Sequence, residues 1–365
     1  MMKSRTKIAI CLLSLLIGAF TIIWDSCDFS SNGPGSAPKW RTFTRANSGL
    51  LNNSVHALLA SGDGYVWIGT DGGASGFHHG SWTGIVDSLA FTIYSSSGSS
   101  VSHEVSALAE GRDGSIWFGL NGGGVRRYQK NSTSQREWFS YHTPDIPHEF
   151  ITSIAANKFQ QPGNVWIGTL FGVSKFTPSV VDTEFGAGVW TTFSDLADHF
   201  DSRNVYAICV DLYDGAAIFG TFTDLIVFDE SRNLWSTVQP KLESPVVSLA
   251  YDKGAYVWMG QWSGVSVHNL SNPNVDAGFT SASTGGRLPA GIVNSVTTDL
   301  GSVRWFGTDA GLVCRTDTIW SVFTRSNSPQ LASDTITALA YDYSGNLWIG
   351  TPHGVTIYNE QGVEF

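Results

Sequence analysis

Short runs of alternating apolar and polar residues recur along the chain from residue 40 to its end. Each is followed by a glycine-bearing turn and then by a more uniformly apolar run. The last copy shows the order in full: the run around Ala338, then Asp342-Tyr343-Ser344-Gly345-Asn346, then Leu347-Trp348-Ile349-Gly350-Thr351, two further residues, and Gly354-Val355-Thr356-Ile357-Tyr358. A period of two predicts strands, and the intervening glycines predict tight hairpins. The chain therefore reads as all-β.

The register is set by Trp67-Ile68-Gly69-Thr70. It returns as Trp117-Phe118-Gly119, Trp166-Ile167-Gly168-Thr169, Trp258-Met259-Gly260, Trp305-Phe306-Gly307-Thr308 and Trp348-Ile349-Gly350-Thr351. Ile218-Phe219-Gly220-Thr221 is a seventh copy in which Ile replaces Trp. Upstream, one slot is always small: Ala57, Ala107, Ser153, Ala207, Ser248, Ser295 and Ala338. Such residues are expected where innermost strands crowd around an axis. Between the two strands lie Gly64, Gly114, Gly163, Gly215 and Gly345, with Gly254 and Gly301 displaced by one, as the positive φ of a hairpin requires. A second hairpin is marked by Gly73, Gly123, Gly172, Gly264, Gly311 and Gly354, with Asp224 as the exception. A fourth strand carries Trp40, Trp82, Trp138, Trp190, Trp235, Phe279 and Trp320.

Units of about 47 residues with four strands each predict a seven-bladed β-propeller over residues 40–365. The order of the pieces also predicts how the ring closes. The chain opens on an orphan fourth strand at Trp40-Arg41-Thr42-Phe43 and ends after a third strand, so the N-terminal strand is expected to complete the last blade and remove an open edge. Twelve of the 14 Trp fall in the two repeat slots, which assigns them to packing between blades and not to a ligand ladder. Longer insertions are expected at 87–100, 129–137 and 177–189, the first Ser-rich and mobile.

Composition narrows what such a ring does. The net charge of -10, with Lys3, Arg5 and Lys7 confined to the first residues, argues against a nucleic-acid partner. Residues 1–26 join that basic start to an apolar run from Ile8 to Trp24 and read as a signal peptide or signal anchor. Residues 27–39 read as a flexible linker. Cys27 adds lipidation as a third fate beside cleavage and anchoring, although Trp24-Asp25-Ser26-Cys27 matches a lipoprotein signal poorly. The membrane is thus expected to be met only through the N-terminal segment. The location expected is periplasmic, cell-surface or secreted in a bacterium. Cys209 and Cys314 stand in different repeats and read as buried small hydrophobes, with no disulfide framework.

The unit Asp-x-x-Gly-Asn-Leu-Trp-Ile-Gly-Thr, followed by Gly-Val and an aromatic, resembles the two-component regulator propeller repeat of extracytoplasmic sensor regions in bacterial hybrid histidine kinases. The resemblance covers residues 40–365 and rests on scaffold positions. In that family, paired seven-bladed propellers commonly precede an immunoglobulin-like module, a membrane span and a kinase, and many of the sensors respond to glycans. This sequence holds one ring, a departure from that pattern, so the resemblance implies a sensor-like binding propeller and does not extend to direct signalling by this chain.

Binding specificity is expected where the copies differ, at the turns between second and third strands around one mouth of the channel. Asp71, Asn121, Phe171, Phe222, Trp262, Asp309 and His353 are the candidate ligand-binding residues. Their mixture of aromatic and polar groups suits a sugar ring and its hydroxyls. A glycan or protein ligand is expected, with the protein a monomer. The variable first-strand residues His56 and Tyr206 are candidates to line the channel, a satisfied core histidine being the plainer reading of the former.

No catalytic residues, cofactor or metal ligands are assigned. There is no nucleophile elbow, phosphate loop or Cys/His metal spacing, and His78-His79 reads as an exposed turn. The chief reading is a non-catalytic binding propeller. The alternative is a propeller enzyme, either streptogramin-lyase-like or glycan-active. The latter needs two facing carboxylates, for which Asp71 and Asp309 are the candidates.

Overall fold

The alternating runs pair into sheets because each inner strand is short and is returned at once by a hairpin. A computed structural model describes residues 38–84, 93–94, 100–101, 104–130, 136–179, 187–193, 204–238, 244–272, 276–299, 301 and 303–365. The first 37 residues, with the leader, Cys11, Cys27 and most of the linker, lie outside the described residues. Among the described residues no helix is long and apolar enough to cross a membrane.

Seven four-stranded antiparallel sheets follow one another as the blades of a propeller. Blade 1 consists of Val55–Ala60, Val66–Thr70, Gly73–His78 and Ser81–Gly84. The inner strands of blades 2 to 7 are Val105–Glu110, Ile151–Ala156, Val205–Val210, Val246–Asp252, Val293–Thr298 and Ala338–Tyr341. The expected closure holds: Trp40–Phe43 pairs antiparallel with Gly354–Tyr358, Trp40 opposite Tyr358 and Phe43 opposite Val355. Asn359 N–H to Lys39 O and Val363 N–H to Pro38 O extend the seam.

The core is divided among the blade interfaces. Each of seven buried clusters spans two neighbouring blades; at the closing seam Trp348, Val355 and Ile357 of blade 7 meet Val55, Val66, Ile68 and Phe77 of blade 1. Trp117, Trp166, Trp305 and Trp348 are among the largest fully buried side chains. At roughly 150–250 Å² each, burial of such a ring contributes about 4–6 kcal/mol before chain entropy is set against it. The Trp slot is therefore packing, as the repeat suggested.

The glycine of the Trp-x-Gly run answers to a close approach. A Cβ on Gly350 would stand 2.7 Å from Val55 Cγ1 of the next blade, and one on Gly119 would stand 2.5 Å from Ile151 Cγ2. The threonine that follows builds the second hairpin: Thr351 Oγ1 donates to Gly354 O at 2.8 Å and accepts the His353 N–H at 3.0 Å. In blade 2 this turn is one residue longer. Gly122 and Gly124 take positive φ there, not Gly123 as the repeat register implied, and Gly124 pairs with Leu120.

The first insertion holds one strand pair, and one further expectation is corrected. Within 87–100, Ile93–Tyr94 pairs with Ser100–Val101 beyond its edge. Cys314 is disulfide-bonded, whereas Cys209 is a free thiol whose pKa is pushed up by burial and by the charge of Asp211.

Candidate functional site

The mouth carrying the candidate residues is held together by backbone bonds between the second hairpins of blades 1, 2 and 6 and loops that enter inner strands. Asp71 N–H meets Ser54 O, Asn121 N–H meets Glu104 O, Gly124 N–H meets Glu149 O, and Asp309 N–H meets Ile292 O. Both kinds of loop therefore lie at one end of the ring, as expected of a propeller.

Inner strands carry a bulge one residue before the small slot, with register shifts at Val55/Ala57, Val105/Ala107, Ile151/Ser153, Val205/Ala207, Val246/Ser248 and Val293/Ser295. A bulge re-aims the side chain it carries. In most blades that side chain is used for stitching. Ser106 Oγ donates to Ile151 O at 2.6 Å, Thr152 Oγ1 to Val205 O at 2.5 Å, Asn294 Nδ2 to Ile336 O at 3.1 Å and Thr337 Oγ1 to Val55 O at 2.5 Å. The small slot adds bonds where it is serine: Ser153, Ser248 and Ser295 Oγ accept the amides of Ile208, Val296 and Leu339.

His56 and Tyr206 occupy the same bulge but have other partners. Tyr206 OH accepts from Asn204 Nδ2 at 3.2 Å. His56 is only partly buried, and its Nε2 lies 2.5 Å from Asp71 Oδ1 and 3.3 Å from Ser54 Oγ. It is a rim residue, not a satisfied core histidine.

The mouth has two unlike halves. Blades 3 to 5 present aromatics. Phe171 and Trp262 are each 48% exposed, and Phe150 and Phe222 are each 44% exposed. Phe222 and Trp262 meet edge to face, centroids 5.8 Å apart with planes at 85°. His148 bridges the others, its ring 4.6 Å from that of Phe171 and 5.1 Å from that of Phe150. Blades 6, 7, 1 and 2 present polar groups. Asp309 Oδ1 accepts from Asn294 Nδ2 at 2.8 Å, and His353 is exposed at its turn. Asn121 Nδ2 donates to Glu104 Oε2 at 2.7 Å.

The seven candidates thus lie around one mouth, but in separate groups. Phe222 and Trp262 touch. Asp71 and Asn121 are joined through His56 and Glu104. Asp309 has a partner of its own, so the two aspartates are not brought together as a carboxylate pair by any shared contact. Gln261, at a variable turn position, is buried, with Nε2 donating to Ser244 O and Oε1 accepting from Ser266. Sequence reasoning passed over Glu104, His148 and Phe150. Glu104 and Phe150 share one slot, immediately before the inner strand, where Ser54, Asn204, Pro245, Ile292 and Thr335 stand in other blades. That variability was the available signal.

At the opposite end of the ring, a groove of about 610 Å³ runs between blades 6 and 7, lined by Asp299, Trp305, Tyr341, Asp342 and Tyr358 among others. Its two aspartates serve their own turns. Asp299 Oδ1 accepts the amides of Gly301 and Val303, and Asp342 accepts those of Ser344 and Asn346 together with the indole N–H of Trp348. The aspartate of the repeat motif is therefore a turn cap.

Comparison with known proteins agrees with this architecture. The two-component regulator propeller family matches residues 49–72 and 330–353, so the repeat type read from the sequence is borne out. No curated protein matches significantly in sequence. Among solved structures, the extracellular domain of a putative hybrid two-component system from B. thetaiotaomicron superposes with a TM-score of 0.65 at 18% identity. That match covers 88% of this chain and 39% of that one. A second such domain from the same organism gives 0.65 at 17%, covering 89% and 42%. The chain thus spans about two fifths of the length of those sensor domains. A streptogramin B lyase gives 0.61 at 13%, covering 88% and 97%. At these identities the likeness shows the fold.

Proposed function

We propose that this sensor-like propeller works outside the cytoplasm as a non-catalytic binding module, and that it takes a glycan at the mouth carrying Phe171, Phe222 and Trp262. The observation that carries this reading is the exposed edge-to-face pair Phe222–Trp262 beside the Phe171–His148–Phe150 group. Large apolar rings left in water are costly unless something covers them, and aromatic faces suit the C–H face of a pyranose, with Asn121, Asp309 and His353 across the mouth for its hydroxyls. The basic, apolar leader and the extracellular setting of the similar sensor domains support export.

A glycan array with the full chain, followed by titration of any hit, tests the proposal. Trp262→Ala and Phe222→Ala are each expected to weaken binding by about tenfold or more, as removal of a central aromatic anchor does. Binding that survives both substitutions, or silence from a folded protein across the array, overturns it.

A further inference from the structure

We infer that the polar half of the mouth holds one divalent transition-metal ion between blades 1 and 2, on His56, Asp71 and Glu104. One ligand atom from each of these three residues lies within 4.8 Å of the other two, although they are separated in sequence and come from three different elements. His56 comes from the bulge of an inner strand, Asp71 from the second hairpin of the same blade, and Glu104 from the residue entering the next inner strand.

Each group is presented by a different local device. The bulge that stitches other blades is not used that way in blade 1, and turns the imidazole to the rim, with Nε2 2.5 Å from Asp71 Oδ1. The hairpin places Asp71 by its amide on Ser54 O. Asn121 places Glu104 twice, by backbone N–H to Glu104 O at 3.2 Å and by Nδ2 to Oε2 at 2.7 Å. That is how a supporting amide orients a ligating carboxylate. Ser54 Oγ, 3.3 Å from His56 Nε2, is within reach as a further oxygen.

The distances and charges suit an ion. Metal–ligand bonds of about 2.0–2.2 Å put neighbouring donors roughly 3–3.5 Å apart, so rotations of these partly exposed side chains close the site with the backbone in place. One neutral imidazole with two carboxylates carries two negative charges, matched by a divalent cation. The mixed nitrogen and oxygen set favours Zn²⁺ or Mn²⁺ over Ca²⁺ and Mg²⁺, whose preferred ligands are oxygens alone. Three protein ligands leave a position open toward the mouth. None of the three ligands comes from the aromatic half, and Asn121, which orients Glu104, is the one residue shared with the proposed sugar site.

The test is calorimetric titration of the metal-stripped full chain with Zn²⁺ and with Mn²⁺, alongside Co²⁺ absorption spectra. One equivalent is expected to bind. Asp71→Asn and Glu104→Gln should each lower affinity about tenfold or more. His56→Ala should remove the cobalt band, and Asn121→Ala should weaken binding by about 10–100-fold without changing stoichiometry. Thermal melts of each variant keep misfolding distinguishable from ligand loss. The inference is overturned if the folded wild type binds no ion. It is equally overturned if a His56→Ala, Asp71→Asn double variant still binds one equivalent with unchanged affinity, which places the ion elsewhere.

Discussion

Arg127 is almost wholly buried, with its guanidinium carbon 5.1 Å from the ring centre of Trp117 and 5.2 Å from that of Phe176, and its Nη2 2.6 Å from Asp113 Oδ2. Burial pushes the Asp113 carboxyl up. The charge of Arg127 and the hydrogen bonds from Ser115 outweigh it, so the group sits below its ordinary 3.8. Glu149 is also raised by burial, yet the Thr143 amide and His142 hold it below its ordinary 4.5. Carboxylates depressed in the folded state contribute stability that is full above their unfolded values and is lost as pH falls through the lowered ones. The melting temperature is therefore expected to hold near pH 6 and to fall below about pH 4. Asp113→Asn should flatten part of that acid limb and cost about 1–3 kcal/mol at neutral pH, the figure being discounted for the exposure of Asp113. An unchanged acid limb in urea melts of the variant would contradict this pairing. None of it was legible in the sequence, where Asp113 is one more turn residue and Arg127 lies 14 positions away on another strand. By contrast Trp117, Trp166, Trp305 and Trp348 declared their burial by recurrence alone.

Strands and turns were the most legible level, because hairpins are local. Gly64, Gly114, Gly163, Gly215 and Gly345 all take positive φ, as their place between two alternating runs required. The exception is instructive: in Leu120-Asn121-Gly122-Gly123-Gly124 three glycines in a row hide an inserted residue, and identity alone pointed to the middle one. Bulges were illegible, since Ser106, Thr152, Asn294 and Thr337 look merely variable until the neighbouring blade supplies their acceptor. The closing strand was legible because the chain opens on an orphan fourth strand and ends after a third. Trp40 packs on Tyr358 at 4.7 Å, and Thr42 Oγ1 donates to Gln330 O at 2.5 Å. Deleting residues 39–46 strips the outer strand of blade 7 and leaves Gly354–Tyr358 paired on its inner side alone, as an open edge. A collapse of the thermal transition is expected, and a melting curve like that of the full chain would refute this mode of closure.

For the whole ring, six of the seven interfaces bury a Trp-centred aromatic cluster and the seventh, between blades 4 and 5, substitutes Ile218 and Met259, so the scaffold is nearly symmetric while the mouth is not. The asymmetry has a physical source. Scaffold slots face a neighbouring blade and are fixed by packing; turn positions face solvent and differ freely. That is why Phe222 and Trp262 were identified from sequence as rim residues, whereas their edge-to-face contact, and the meeting of Asp71 with His56 and Glu104, needed the ring to close. The opposite end also exposes aromatics, with Tyr343 71% and Tyr213 69% accessible in first-hairpin turns. The direct test of the account is therefore a comparison of ends: the affinity of an array-identified glycan for the wild type, for Trp262→Ala and for Tyr343→Ala. The account predicts a loss of about tenfold or more for Trp262→Ala with Tyr343→Ala unchanged, and the reverse pattern would contradict it by moving the binding site to the other end of the ring.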